Sequence, residues 1–292
     1  MSNTLTDAKV VTPEPEPMLS EPPHVFEVEH AVLTHTGLVR DHNEDDYLTI
    51  PEEGVYIVAD GMGGHAAGDV ASSLAVQSLR ALEGAEPLTP ADVPVAVERA
   101  NDALVEYGGE HPEARGMGTT VTGVAEVSIG GVAHWLVFNV GDSRTYRYVG
   151  GELHRVTIDH SEVEELLAQG LIDADEARVH PARHIITRSV GMQPTPSVDV
   201  WVLPQTAGER FLLCSDGLNG ELTDEQIAAV LAEHADPRAA ASALVDAVLS
   251  TQARDNVTVI VIDVVGAEPD AGDESTVPQP QLTHAPAAGG DR

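Results

Sequence analysis

The sequence predicts an α+β fold in which antiparallel β-sheets form a sandwich covered by helices. Short apolar runs in the middle of the chain are separated by Gly-Gly pairs at hairpin spacing, which requires antiparallel pairing. Helical patterns arrive in pairs before and after these runs, unlike the single helices that alternate with strands in a doubly wound α/β fold. With 42% apolar residues in a chain of 292, one such domain can bury a substantial core.

Composition divides the chain into one domain, residues 25–266, and two tails. Residues 1–24 are rich in Pro and Glu, and residues 267–292 in Pro, Gly, Ala and Asp, so we expect both tails to be disordered. The first residues lack the basic and apolar segments of a signal peptide, and no apolar run approaches the roughly 18 residues that a membrane span needs. We therefore expect a cytoplasmic monomer with no membrane partner.

The charge balance is strongly acidic. Lys and Arg total 15 against 48 Asp and Glu, which gives a formal net charge of −33. A nucleic-acid backbone would be repelled by such a surface, so we expect no nucleic-acid partner. The same repulsion predicts slower encounter with acidic substrates and a preference for basic ones. The single cysteine, Cys214, excludes an intramolecular disulfide and lies in an apolar run typical of a buried thiol.

The first part of the domain is predicted to contain strands followed by two helices. A loosely alternating strand at about 26–37 precedes a polar run, a second strand and a buried strand at Val55–Ala59. Apolar residues at helical spacing predict a helix over about 66–82. A Thr-Pro-Ala-Asp sequence at 89–92 is typical of a capping box, so we expect a second helix from there to about Tyr107.

The second part begins with a meander of three or four strands, in which Gly130-Gly131 and Gly150-Gly151 mark turns. A polar excursion with one short helix follows at about 159–191, and a long insertion of this kind is more often a functional flap than a passive loop. The remaining expected elements are strands at about 198–203 and 209–215, helices that begin at Thr223 and Asp236, and a strand at about 256–265.

Carboxylates stand at the ends of four apolar runs. Asp60, Asp142 and Asp216 each follow such a run, and Asp255 precedes one. An Asp-Gly pair after a strand is also the commonest hairpin-turn signal, so each pair alone is better explained as a turn. The fourfold repetition favours one shared site. Carboxylates in a low-dielectric cleft repel each other unless they are protonated or neutralised, and a hard divalent metal is the simplest neutraliser.

A charged run at 40–46 precedes Asp60 by one short strand. Such a run is usually a solvated loop, but Arg40 carries a bidentate fork that matches phosphate oxygens. If a hairpin returns Arg40 to the aspartates, the site combines metal ions with a phosphate-binding cation. Ligand sets made only of oxygen suit Mg²⁺ or Mn²⁺ rather than Zn²⁺, and two such ions can clamp the oxygens of an in-line displacement at phosphorus.

Eight motifs follow one another along roughly residues 28–265. They are GLVRDHNED from Gly37, VADGMGGHAAGDVAS from Val58, GMGTT from Gly116, NVGDSRTYR from Asn139, DHS from Asp159, HPARHIITRSVG from His180, CSDGL from Cys214 and ARDNVTVIVI from Ala253. In this order and spacing they resemble the metal-dependent protein phosphatases of the type 2C (PPM) family, in particular its compact bacterial members. The resemblance implies two central antiparallel β-sheets flanked by helix pairs, an αββα sandwich.

The implied activity is hydrolysis of phosphoserine and phosphothreonine in proteins by a metal-activated water. This activity would oppose Ser/Thr kinases, so the implied partners are phosphorylated proteins, including such kinases and their substrates, in cell signalling. Two alternatives stay open. The chain could be a phosphoprotein-binding regulator with little catalysis, or a two-metal hydrolase for small phosphate esters or phosphodiesters.

The resemblance also implies the metal ligands, on two Mn²⁺ or Mg²⁺ ions with a third. Asp60 matches the aspartate that bridges two ions, and the carbonyl of Gly61 matches a backbone ligand of the first. Asp216 and Asp255 match ligands of the second ion. Asp142 matches the ligand with which bacterial members hold a third ion, shared with Asp216.

Further roles implied by the resemblance surround these ligands. Glu44 and Asp45 match acids that hold metal-bound waters, and Arg40 matches the arginine that binds the substrate phosphate. The implied catalytic set is therefore Arg40, Asp60, Asp216 and Asp255. One departure concerns the proton donor: Met62 stands where some members carry a histidine general acid, and His65 cannot be assumed to replace it.

Overall fold

The computed structural model describes residues 26–63, 67–84 and 87–266. The predicted tails and His65 lie outside these residues. The described strands are β1 (Glu27–His35), β2 (Asp45–Ile50), β3 (Val55–Met62), β4 (Gly118–Thr119), β5 (Val121–Ile129), β6 (Val132–Val140), β7 (Arg144–Val149), β8 (Glu152–Arg155), β9 (Asp199–Pro204), β10 (Arg210–Cys214) and β11 (Val257–Val265). The described α-helices are α1 (Gly68–Leu79), α2 (Asp92–Glu110), α3 (Glu162–Ala168), α4 (Ala174–Val179), α5 (Asp216–Asn219), α6 (Asp224–Glu233) and α7 (Pro237–Leu249).

Two antiparallel sheets form the middle of the domain. One contains five strands in the order β1-β11-β10-β7-β8, and the other contains β2-β3-β5-β6-β9 with β4 paired to β3. Adjacent strands in both sheets run antiparallel, including the long β5–β6 and β1–β11 pairs. The predicted α+β class is therefore confirmed.

Alternation along the strands sorts the apolar side chains into three layers. In β3, Val55 and Ile57 pack with residues of α1 and α2, whereas Tyr56 and Val58 face the other sheet. The strand β11 alternates in the same way, with one face under α6 and α7 and the other against β3 and β5. Since helices cover the outer face of each sheet, the αββα arrangement is confirmed.

The same alternation sends polar side chains to one end of the space between the sheets. Asp60 follows Tyr56 and Val58 on the inward face of β3, and Asp45 of β2 is its Cα partner across the strand pair. Hydroxyl pairs bridge the sheets next to this end, namely Thr122 with Thr145 at 2.9 Å and Thr120 with Ser143 at 2.7 Å. The apolar layer between the sheets therefore ends in a polar floor.

Helix starts agree with the sequence prediction at two of three caps. Thr223 and Gln226 form the predicted capping box of α6, and Asp236 accepts a hydrogen bond from the Ala239 N–H at the start of α7. At α2 the prediction is wrong in detail. Both the amide and the hydroxyl of Thr89 donate to Asp92 Oδ2 at 2.7 Å, so the threonine caps no helical N–H and the helix begins later, at Asp92.

The flap predicted at 159–191 contains two short helices, α3 and α4, where one was expected. The missed helix has a capping box of its own, formed by Asp173 and Glu176. Among the described helices, none combines the length and apolar character needed to cross a membrane.

The caps give a stability prediction. Thr223→Ala removes a hydroxyl that accepts the Gln226 N–H, so the free energy of unfolding should fall by about 1 kcal/mol. Thr89→Ala is the matched control and should cost only a few tenths of a kcal/mol, because its hydroxyl only donates to an exposed carboxylate. Urea denaturation followed by circular dichroism measures both, and equal losses would contradict the assignment of the caps.

Candidate active site

Five aspartates from different elements meet at the polar end of the sandwich. They come from β2, from β3, from the turn after β6, from the first residue of α5 and from the loop before β11, and are Asp45, Asp60, Asp142, Asp216 and Asp255. Burial raises the pKa of Asp60 well above its ordinary value, and the charges of the other four raise it further. The four strand-end aspartates singled out in the sequence are thus brought together, with Asp45 added from the edge strand.

Burial, followed by mutual repulsion, controls the electrostatics of this cluster. Burial raises the pKa of Asp45 to about 7, although Ser215 and Thr258 oppose the rise by hydrogen bonding. Burial and then Asp255 raise the pKa of Asp216 to about 6. Arg40 and the neighbouring Asp60 side chain oppose part of this rise. Without added positive charge the cluster therefore holds protons near neutral pH.

Asp45 has one satisfied and one unsatisfied oxygen. Its Oδ2 accepts a hydrogen bond of 2.7 Å from the Ser215 hydroxyl, whose oxygen in turn accepts the Thr258 N–H at 3.0 Å. Its Oδ1 is buried and has no hydrogen-bond partner. A buried carboxylate oxygen left unpaired is costly, so this atom favours a bound cation or water in the cluster.

The backbone around Gly61 permits no side chain. Its N–H donates to the carbonyl of Glu44 at 3.0 Å, and a Cβ at this position would overlap the carbonyl of Gly68 at the start of α1. A Cβ on Gly68 would in turn overlap the carboxylate of Glu44. The end of β3, the start of α1 and the loop before β2 are therefore packed backbone to backbone, which holds the Gly61 carbonyl and the Glu44 carboxylate beside the aspartates.

Arg40 stands at the mouth of the cluster. Its Nη2 donates to Asp255 Oδ2 at 2.8 Å, its Nη1 lies 3.6 Å from Glu44 Oε2, and 46% of its side chain is exposed. The loop that carries it is held against the loop before β11 by the Leu38 N–H, which donates to the Ala253 carbonyl at 2.8 Å. Arg40 therefore reaches the aspartates, as the sequence predicted, but it does so beside Asp255.

Asn256 is a site residue to which sequence reasoning gave no role. Its Nδ2 donates to the carbonyls of Thr36 and His42 at 2.9 and 2.8 Å, and its Oδ1 accepts the Glu44 N–H at 2.8 Å. One amide thus gathers the whole loop that presents Arg40 and Glu44. The signal in the sequence was its position beside Asp255 at the start of an apolar run.

A second group of charges supports Asp142 from the flap side. Arg144 donates three hydrogen bonds of 2.6–3.1 Å to the buried carboxylate of Asp159. The charge of Asp159 in turn helps to raise the pKa of Asp142, after burial and the charge of Asp216. The next residue, His160, accepts the Gly141 N–H on Nδ1 at 2.9 Å. The motif DHS was visible in the sequence, but nothing there showed that it braces the turn before Asp142.

The donor set fits a hard divalent cation. Carboxylate and carbonyl oxygens are the ligands of Mg²⁺ and Mn²⁺, negative charge is in excess, and Asp45 Oδ1 lacks a partner. Among the described residues no three Asp, Glu, His or Cys side chains form a group that could hold an ion as they stand. Asp255 is paired with Arg40, so its side chain would have to turn toward an ion.

The thiol of Cys214 is fully buried, and burial raises its pKa, which agrees with the predicted structural role and leaves no accessible thiolate at the site.

Comparisons with known proteins agree with this geometry. The family profile described as Protein phosphatase 2C matches residues 37–252. The serine/threonine protein phosphatase PstP of Mycobacterium tuberculosis is 39% identical over 241 residues, 81% of this chain and 45% of PstP. The serine/threonine phosphatase stp of Listeria welshimeri is 33% identical over 239 residues, 79% of this chain and 93% of the relative.

Among solved structures, the catalytic domain of PstP in complex with two manganese ions superposes with a TM-score of 0.74 at 34% identity, covering 82% of this chain and all of that one. The chain spans less than half the length of the mycobacterial relative and nearly all of the listerial one.

The packing at Gly61 gives a prediction. Gly61→Ala should lower the free energy of unfolding by about 3 kcal/mol, because the added methyl group overlaps backbone that cannot move independently. Gly109→Ala in α2 is the control: no atom lies within 4 Å of the added group, so stability should stay constant or rise by up to about 1 kcal/mol. Urea denaturation of both variants measures the difference. A tolerated alanine at position 61 would refute the backbone packing.

The raised pKa values predict how stability depends on pH without metal. Asp45 and Asp216 ionise at about 7 and about 6 in the folded protein, against an ordinary 3.8, so the folded chain binds more protons than the unfolded chain between these values. The free energy of unfolding should therefore fall as pH rises through this window. Thermal melts in chelator from about pH 5 to 7.5 should show this decline, reduced in Asp45→Asn and unchanged in the control Asp102→Asn. Equal slopes in all three proteins would contradict it.

Proposed function

Because this chain belongs to the protein phosphatase 2C family, we propose that it hydrolyses phosphoserine and phosphothreonine in proteins with the help of Mn²⁺ or Mg²⁺. One observation carries the proposal: five aspartates that repel one another share one end of the sandwich with an exposed, permanently charged Arg40. Neutralising such a cluster takes metal ions, and binding a phosphoryl group takes a cation beside them. The names of the bacterial relatives support the substrate class.

The proposed metal ligands are the residues matched in the sequence. Asp60, the Gly61 carbonyl, Asp216 and Asp255 would hold two ions, and Asp142 with Asp216 would hold a third. Glu44 and Asp45 would act through water, in agreement with the unpaired Oδ1 of Asp45. Divalent ions in this position supply positive charge to the phosphoryl oxygens and lower the pKa of water.

The side chains around the proposed metal site would have separate roles in the reaction. Arg40 would bind and orient the phosphate with its guanidinium fork, which faces the mouth and is held in register by the loop that Asn256 gathers. Asp45, fixed by the Ser215 hydroxyl, would hold and orient a water at its free oxygen. Met62 has no proton to give, so proton transfer to the leaving alcohol would come from water rather than from this position.

Residues 25–266 would form the catalytic domain, and the flap at 159–191 would form one wall of the substrate site. Backbone hydrogen bonds join the first and last parts of the flap to each other: the Thr187 N–H donates to the His160 carbonyl at 2.8 Å, and the Glu162 N–H donates to the Ile185 carbonyl at 2.9 Å. We also propose that the protein works as a cytoplasmic monomer in signalling, and that its partners are phosphorylated proteins, including Ser/Thr kinases and their substrates.

The test uses the full chain and a phosphothreonine peptide. Phosphate release should require Mn²⁺ or Mg²⁺, stop in chelator, and fall by about 100-fold or more in Asp60→Asn, since this change weakens the charge that holds the ions. The control Asp102→Asn, which removes an exposed carboxylate on α2, should keep full activity.

Two outcomes would point elsewhere. Binding of the phosphopeptide without turnover in any divalent metal would support the alternative of a phosphoprotein-binding regulator. Faster turnover of a nucleotide monoester or a diester than of the peptide would support a hydrolase for small phosphate esters.

A further inference from the structure

Both backbone polar groups of Gly141, the residue before Asp142, are bonded to His160. The Gly141 N–H donates to Nδ1 of the His160 ring at 2.9 Å, and the Gly141 carbonyl accepts the His160 N–H at 2.9 Å. The same carbonyl accepts a hydrogen bond of 3.0 Å from Nδ2 of Asn139. Gly141 has a φ of +115°, and a Cβ there would lie 2.6 Å from Cβ of Thr120. The turn that carries Asp142 therefore has little freedom to move.

These contacts determine which ring nitrogen of His160 carries the proton. Nδ1 receives an N–H from Gly141, so it must offer a lone pair, which excludes both a proton on Nδ1 and the doubly protonated ring. The proton of the neutral ring is then on Nε2, which lies 3.1 Å from Oδ2 of Asp199. The His160 side chain is only 6% exposed, so protein groups rather than solvent hold it in this tautomer.

Asp199 is held in turn by Arg188, near the end of the flap. Arg188 Nη1 donates to Asp199 Oδ1 at 2.6 Å and to the Ser197 carbonyl at 3.2 Å. With Arg188 on one oxygen and His160 on the other, the Asp199 carboxylate presents an acceptor to each donor. A chain of hydrogen bonds thus runs from the half-buried Arg188 through Asp199 and His160 to the turn before Asp142.

We propose that Arg188, Asp199 and His160 form a positioning relay, which holds Asp142 in the orientation that binds a divalent cation together with Asp216. The inference rests on the proposed function and adds to it three residues that are not themselves proposed ligands. The relay bonds to the backbone of Gly141, so it brings no charge that competes with the cation for the Asp142 carboxylate. Residues that orient a metal ligand typically change metal affinity by about 10-fold to 100-fold when they are removed.

Part of the support for this turn does not depend on the His160 ring. The backbone N–H of His160 and the amide of Asn139 both hold the Gly141 carbonyl, whatever side chain stands at position 160. Loss of the ring contact should therefore loosen Asp142 without unfolding the turn. The expected loss of cation affinity is accordingly at the lower end, about tenfold.

The first experiment measures the tautomer of His160. A two-bond ¹H–¹⁵N spectrum of the chain with ¹⁵N-labelled histidine distinguishes protonated from unprotonated ring nitrogens. The signals that are missing in His160→Asn identify this ring among the 13 histidines. Without metal at neutral pH, Nδ1 should be unprotonated and Nε2 protonated. A proton on Nδ1, alone or on both nitrogens, would overturn the relay, and this result does not require any variant other than the one used for assignment.

The second experiment measures Mn²⁺ binding without substrate, by electron paramagnetic resonance of the free ion. Asparagine places its amide near the position of Nδ1 and glutamine near that of Nε2, so His160→Asn can still accept the Gly141 N–H, whereas His160→Gln cannot. The ion that depends on Asp142, defined by its loss in Asp142→Asn, should bind about tenfold more weakly in His160→Gln and within about twofold of wild type in His160→Asn. Adding His160→Gln to Asp142→Asn should cause no further loss.

The outer part of the relay is tested with Asp199→Asn. Arg188 needs an acceptor, so the new amide would turn its oxygen to Arg188 and its NH₂ group to the ring, which would force the proton of His160 onto Nδ1. Mn²⁺ at the Asp142 site should then bind about tenfold more weakly. Adding Arg188→Met should restore most of the affinity, because the amide can then turn its oxygen to the ring. Arg178→Met, on the same flap in α4, is the control and should restore nothing.

Hydrolysis of the phosphothreonine peptide is measured on the same variants. Equal Mn²⁺ affinity in His160→Asn and His160→Gln, or no recovery of Asp199→Asn on adding Arg188→Met, would overturn the inference even if the enzyme is active. The expected differences in Mn²⁺ binding without any hydrolysis would instead overturn the proposed phosphatase activity and leave the relay in place.

Discussion

Repulsion among carboxylates in a poorly solvated cleft is the interaction on which the rest of this structure depends. Each of the five aspartates is acceptable on its own at the end of a strand or a helix, but burial and the charges of their neighbours raise the pKa values of Asp45, Asp60, Asp142 and Asp216. Such a cluster persists only if the surrounding residues hold the side chains in place and bound positive charge neutralises the carboxylates. The fold supplies the first requirement and leaves the second to cations.

Backbone contacts and uncharged side chains hold the aspartates and their loops in position. Gly61 and Gly68 allow a strand end and a helix start to touch, Asn256 ties one loop to another, and the Ser215 hydroxyl holds one oxygen of Asp45. Groups of this kind add no charge that would compete with a cation for the carboxylates. In the described part of the chain, Arg40 and Arg144 lie on two sides of the site, paired with Asp255 and Asp159.

Much of the fold could be predicted from the sequence because it is recorded in local patterns. Strand alternation, Gly-Gly turns and the caps at Thr223 and Asp236 all act within a few residues, and the structure confirms them. The predicted start of α2 was wrong because the hydroxyl of a threonine three positions before a helix can either donate or accept a hydrogen bond, and sequence spacing does not distinguish the two. The second flap helix, α4, was not predicted, although the spacing of its capping residues Asp173 and Glu176 can be recognised in the sequence.

The residue types of the site could be predicted from the sequence, but many of the contacts that hold those residues in place could not. Aspartates at strand ends can be recognised from one sequence, but the contacts of Asn256, Ser215 and Asp159 join segments far apart in the chain. Such contacts depend on how two sheets are stacked, which no local pattern contains.

The position of the aspartates outside the three apolar layers has a consequence for the history of such chains. The packing that stabilises the sandwich and the groups proposed to perform the chemistry are carried by different residues, even along one strand such as β3. A duplicated gene that lost Asp216 or Asp255 would still encode the same stack of sheets and helices. One or two nucleotide changes could therefore give a descendant that keeps the fold and lacks the catalytic activity. The fold alone is thus a poor guide to which copies remain enzymes.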